Sequence, residues 1–265
     1  MAETSWGVPA AGWPQEPQEF LPVLDVPEPG RQNRLTVLVR LLLLIPHFVV
    51  LWVLGILAFF AMVIGWFAAL FTGRLPEGIA RYLTHYLGYQ ARVICSGLLL
   101  LDRYPPFSLR QPPDYPVQIE VRPGKLNRLA VLFRLFLLIP AAILQDLVAT
   151  GWYIVAFFVW LIVLVLGRMP RPLFEATAAV ARYGIRLGAY SMMLTSAYPK
   201  RLFGDEPRAG GEVHSATRPL VLSGLAKGLL VLFLVLGVLG AFGSGFGTNS
   251  GNGSDSTTYG ASSAR

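Results

Sequence analysis

The sequence predicts an all-α, polytopic integral membrane protein: two tandem helical repeats, related as a parallel pseudo-two-fold pair, followed by a C-terminal single span. Three observations predict it. Residues 21–107 and 115–201 are the same segment written twice, aligning without a gap when one is moved along by 94 positions. LPVLDVPEPGRQNRLTVLVRLLLLIP (Leu21–Pro46) lies on YPVQIEVRPGKLNRLAVLFRLFLLIP (Tyr115–Pro140), and identity returns at Trp66/Trp160, Gly73/Gly167, Arg74/Arg168, Arg92/Arg186 and Tyr104/Tyr198. Three apolar blocks, Leu35–Phe71, Leu129–Leu166 and Pro219–Phe242, each exceed the roughly 20 residues needed to cross a hydrocarbon core. Charged residues are only 14% of the chain and hydrophobic ones 54%, against about 25% charged in soluble domains. Lipid offers the backbone no partners, so such blocks must be helical.

The first 20 residues carry three prolines and no basic-then-apolar pattern, and are expected to be a flexible lead-in rather than a signal peptide. Repeat 1 then covers 21–109 and repeat 2 covers 110–201. Each opens with a short extended stretch closed by Pro-Gly, at Pro29-Gly30 and Pro123-Gly124. A basic amphipathic helix follows, Asn33–Ile45 and Asn127–Ile139, which Pro46 and Pro140 are expected to end or kink. The span proper runs from His47 to Phe71 and from about Gln145 to Leu166. It stops at Gly-Arg-x-Pro in both copies, where glycine past a helix end and proline at a helix start act as stop and start signals. A helix of mixed character comes fourth, Pro76–Leu101 and Pro170–Thr195. Residues 202–218 read as a polar linker, 219–242 as the last transmembrane helix, and 243–265 as a Gly/Ser-rich tail with too little apolar content to fold.

If the fourth helix of each repeat crosses back, both copies start and finish on one side. The pseudo-axis then stands along the membrane normal. That arrangement puts Arg31, Arg34, Arg103, Arg110, Lys125 and Arg128 together on the cytoplasmic side, with Arg74 and Arg168 as outward exceptions. The N-terminus is then expected in the cytoplasm and the C-terminal tail outside.

The net charge is +7. The basic residues cluster at the ends of apolar blocks, not in a run or a stripe interleaved with aromatics, so topology explains them and nucleic acid is not an expected partner. Cys95 is the one cysteine, which excludes an intramolecular disulfide and a cysteine metal set; its apolar setting marks it as a packing residue. No Gly-rich phosphate loop, Ser/His/Asp order or His-Glu-x-x-His motif appears. The expectation is therefore no catalytic residue, no cofactor and no metal.

Two groups of residues are candidates for a role. Arg34, Arg40, Arg128 and Arg134 recur at matched places and could hold anionic lipid headgroups, at about 1 kcal/mol per basic residue. The competing reading is an ordinary basic flank. Arg92, Arg186, Asp146 and His47 are ionisable residues inside apolar stretches, where such groups often serve function. Asp146 has no acidic counterpart in copy one and would seek Arg134 or Arg186. His47 follows a helix-breaking proline, and Ala141 stands in its place in copy two.

The string IPHFVVLWVLGILAFFAMVIGWFAALFTGRLPEG (Ile45–Gly78), with LLLLDRYPPFSL (Leu98–Leu109), resembles an uncharacterised bacterial membrane family common in actinobacteria, the domain of unknown function numbered 4389. Copy two matches less well: Ala141, Leu166 and Ser196 replace His47, Thr72 and Asp102. The resemblance implies a bacterial membrane location and a fold unit, and no activity. The expected function is a non-enzymatic scaffold or accessory subunit of the bacterial cytoplasmic membrane, with the lipid bilayer and other membrane proteins as partners. The alternative is a small transporter or channel with its pathway between the repeats.

Overall fold

The computed structural model describes residues 20–205 and 215–247. The expected lead-in, part of the linker and most of the tail lie outside the described residues, and with them both ends whose sidedness the sequence suggested. The order is β1 (Val23–Asp25), α1 (Arg34–Thr72), α2 (Glu77–Gly97), β2 (Gln118–Glu120), α3 (Arg128–Leu132), α4 (Arg134–Leu166), α5 (Arg171–Ser191) and α6 (Gly224–Gly247). The all-α class and the two tandem repeats stand. Among the described residues, α1, α4 and α6 are long and apolar enough to cross a membrane.

Each repeat is a long helix folded back on a shorter one. Asn33 caps α1 by accepting the Leu35 amide at 3.0 Å, and Asn127 caps α3 through Leu129 at the same distance. Gly73 and Gly167 end α1 and α4 at φ of +72° and +65°, a left-handed backbone that costs glycine nothing. α1 does not end at Pro46. It runs on for 39 residues, or roughly 58 Å at 1.5 Å per residue. The Tyr104 hydroxyl donates to the Leu43 carbonyl at 3.1 Å, one turn before the proline ring disturbs the ladder. In repeat 2 the same stretch is briefly interrupted at Phe133, between α3 and α4. A rod this long stays within about 30 Å of hydrocarbon only if it is steeply inclined to the normal.

The two repeats clasp each other reciprocally. Gln32 N–H donates to the Gly167 carbonyl at 2.8 Å, and Leu126 N–H to the Gly73 carbonyl at 2.9 Å. Trp66 donates its indole N–H to Val131 and Trp160 to Val37, both at 3.0 Å. Every partner has its counterpart 94 residues away. The start of α1 thus meets the end of α4, and the end of α1 meets the start of α3, so the long helices run antiparallel. The antiparallel β1–β2 pair obeys the same symmetry, since Leu24↔Ile119 and Asp25↔Gln118 map onto each other. Ile119 of that pair packs beside Gly88 of α2, and Leu87 of α2 beside Gly188 of α5. The pseudo-axis therefore threads the sheet and the α2–α5 contact.

Three expectations are corrected here. The copies are not a parallel pair about an axis along the membrane normal, because the two-fold relating antiparallel α1 and α4 stands across them. Arg34 and Arg128 do not share one side; the clasp holds them at opposite ends of the paired helices. The fourth element of each repeat, now α2 and α5, is amphipathic and is not among the helices apolar enough to cross. Its polar groups Glu175, Arg182 and Arg186 are buried against protein, which explains how they coexist with an apolar second half.

Candidate functional site

Among the described residues, five arginines (Arg40, Arg92, Arg134, Arg182 and Arg186) are buried, and Arg40 and Arg134 are brought to helix ends. Arg40 is 4% exposed and Arg134 2%. Arg40 donates through Nη1 to the carbonyls of Ser96 and Leu101, and through Nη2 to Asp102 at 2.7 Å. Arg134 donates to the carbonyls of Tyr190 and Thr195, at 2.7 and 3.1 Å. These acceptors are again 94 positions apart. They lie at the ends of α2 and α5, where the last carbonyls lack partners within the helix. Leu99 and Met193, both at φ +59°, turn the chain sharply there. Each arginine thus closes the shorter helix of its own repeat onto the longer one.

Asp102 belongs only to copy one. It accepts from the Thr36 hydroxyl and the Asn33 amide as well as from Arg40, joining the end of α2 to the start of α1. Arg34 is exposed and donates to the Val165 carbonyl at 3.0 Å, near the end of α4. Arg128 is exposed and lies beside Gly73 at the end of α1. The headgroup reading of Arg40 and Arg134 is therefore corrected, because both guanidinium groups are sealed from any surface and serve backbone carbonyls.

Arg92 and Arg186 do not meet across the axis. Arg92 is 1% exposed, donates to the Ser108 carbonyl and lies 5.6 Å from the Tyr89 ring centroid. Arg186 donates to the carbonyls of Pro22 and Lys200, at 3.1 and 2.9 Å. Asp146 is exposed on α4 and pairs with neither Arg134 nor Arg186, whose partners are those just given.

His47 is fully buried. Its Nδ1 lies 2.6 Å from the Tyr89 hydroxyl, and its ring stacks on Phe107 at 4.0 Å with Tyr104 at 4.9 Å. This is an aromatic box with the imidazole as its filling.

Repeat 2 carries a charge cluster that sequence reasoning missed. Arg182, Arg186 and Arg201 meet Asp205 at 2.5, 3.6 and 4.0 Å respectively. Burial, then the neighbouring Arg186, bring the Arg182 guanidinium down to about 10. Arg182 and Asp205 stand where copy one has Gly88 and Gln111, so a search for recurring charges passes over them. Glu175 accepts the Ser223 amide at 2.8 Å and seats the start of α6.

Cys95 is sealed in the core, and burial pushes its thiol up to about 12. Maleimide at pH 8 is expected to leave the folded protein unmodified and to label it fully once SDS unfolds it. Rapid labelling of the folded form would contradict this packing. Among the described residues no group of three metal-ligating side chains comes together.

A duplicated helical unit, three apolar helices and a polar interior turned onto its own backbone define an internally repeated membrane protein. Its two copies are those of a family: the model for the Domain of unknown function (DUF4389) matches residues 34–108 and again 128–202, over half of the chain. The chain belongs to this family. No curated protein and no solved structure matches it.

Proposed function

We propose that the protein is a non-enzymatic scaffold or accessory subunit of a bacterial cytoplasmic membrane, docking an apolar helix of another membrane protein against repeat 1. One observation carries this reading. In repeat 2, α6 covers α4 where Leu147, Thr150, Gly151 and Ile154 meet Phe233, Gly237 and Gly240. The four equivalent places on α1 are Val53, Ile56, Leu57 and Phe60. All four are large and exposed, from 42% to 58%. They border or line a groove of about 500 Å³ between α1 and Tyr86 of α2. The second copy has its covering helix within the chain; the first lacks one among the described residues. Leu57 replaces Gly151, so the incoming helix must present small residues there or sit further out.

The transporter reading has less support. The buried arginines serve helix ends and Asp205 rather than a chamber between the copies, and Leu87 packs on Gly188 near the pseudo-axis. The reading assigns no catalytic step, cofactor or nucleic acid.

Affinity purification in mild detergent tests it. A membrane protein is expected to co-purify stoichiometrically and to be released by Ile56→Gln with Phe60→Gln. A solitary protein, or a partner indifferent to those substitutions, would overturn the reading. Solute or ion flux in liposomes that depends on the protein would favour the alternative.

A further inference from the structure

The copies differ most where the first encloses His47. In the places of His47, Tyr89, Tyr104 and Phe107, repeat 2 holds Ala141, Tyr183, Tyr198 and Arg201. The tyrosines persist, while the imidazole and the phenyl ring are gone. A cleft of about 440 Å³ lies there, lined by Pro140, Leu144, Tyr183, Tyr198, Arg201 and Phe203 among others. Ala141 leaves the Tyr183 hydroxyl without the imidazole that Tyr89 has. The surroundings have also gained charge, with Arg182 for Gly88, Arg201 for Phe107 and Asp205 for Gln111.

Among the described residues, three guanidinium groups share the Asp205 carboxylate. The side chains of Arg182 and Arg186 are 2% and 5% exposed, whereas that of Arg201 is 47% exposed at the cleft. One negative charge does not balance three positive ones, and the surplus falls on Arg201, where the cleft opens to a ligand. Arg201 has the longest of the three separations from the carboxylate and the most open side chain. Its backbone is held at φ +64°, a conformation its counterpart Phe107 does not adopt. The apolar wall of the cleft, Pro140 and Leu144, belongs to α4, whose neighbouring Phe136 and Ile143 are exposed like the rest of its outer face.

From this we infer that the repeat 2 cleft is a binding site for an anionic phospholipid. The phosphate group seats on Arg201, the rings of Tyr183 and Tyr198 flank the glycerol region, and the acyl stem runs along Pro140 and Leu144. A soluble phosphate ester shares the anion chemistry but leaves the apolar wall unused. The site does not depend on a partner helix docking on repeat 1.

The test uses the full-length protein in mild detergent, titrated with short-chain phosphatidylglycerol, phosphatidylcholine of the same chains, inorganic phosphate and glycerol phosphate. Thermal unfolding and native mass spectrometry give the readout. Phosphatidylglycerol is expected to bind about tenfold tighter than phosphatidylcholine, whose phosphate is the same but whose choline cation opposes the Arg201 guanidinium. Arg201→Gln removes most of that preference. Ala141→His with Arg201→Phe, which restores the copy-one residues, abolishes it. Arg81→Gln, an exposed cation on α2, leaves it intact. Should the double variant fail to fold, the exposed Arg201→Gln carries the test alone. A preference that survives Arg201→Gln overturns the site, and stabilisation by inorganic phosphate equal to that by the lipid overturns the lipid.

Discussion

Methionine in place of Arg40 is expected to destabilise the protein by about 3 kcal/mol or more, the cost of removing one partner from a buried pair. The stem of methionine fills most of the space, so the loss is one of hydrogen bonding. Asp102 keeps its carboxylate with a third of its side chain exposed, which moderates the electrostatic part. The Leu101 carbonyl loses its donor, at about 1–3 kcal/mol for a buried group left unsatisfied, while the Ser96 carbonyl keeps the Leu99 amide at 3.1 Å. Arg134→Met takes the donor from the Thr195 carbonyl, leaves Tyr190 the Met193 amide and strands no carboxylate, so its effect should be smaller. Thermal unfolding of both variants in one detergent measures the difference. Equal melting temperatures for Arg40→Met and the unmodified protein would mean that the helix end needs no guanidinium.

Leucine at Gly151 should drive α6 off α4. A first side-chain carbon at Gly151 would overlap the Phe233 backbone, and one at Gly237 the Leu147 backbone. Overpacking a core costs about 1–3 kcal/mol when side chains can yield. Here the obstacle is main chain on both helices, so the helix must leave. A disulfide between Thr150→Cys and Gly240→Cys reports the seat, because a first side-chain carbon at Gly240 would lie 3.4 Å from the Thr150 methyl. It is expected to form in an otherwise unmodified chain and to vanish when Gly151→Leu is added. A cross-link that persists would refute the close approach.

The duplication was legible from end to end in the sequence, because identity at Pro46/Pro140 and Gly73/Gly167 survives wherever the backbone demands it. The recurrence of Arg40 and Arg134 was legible too, but not their use. The carbonyls they serve lie 56 to 61 residues further on, and a basic flank at a membrane surface gives the same local pattern. Pro46 misled by its ordinary rule, since Tyr104, more than fifty residues away, supports the helix beside it. The Arg182–Asp205 pair escaped for the opposite reason. It exists in one copy only, and Asp205 sits in a stretch that composition marks as linker.

The exchange of helix ends between the copies also bears on how such a chain could arise. A polypeptide holding a single copy would carry both the open carbonyl past its long helix and the amide that answers it, yet could not bring the two together within one molecule. It would close on a twin. Fusing two such genes would make that pairing permanent, and each half could then drift from its sibling: one kept a histidine walled in by rings, while the other became hollow and cationic.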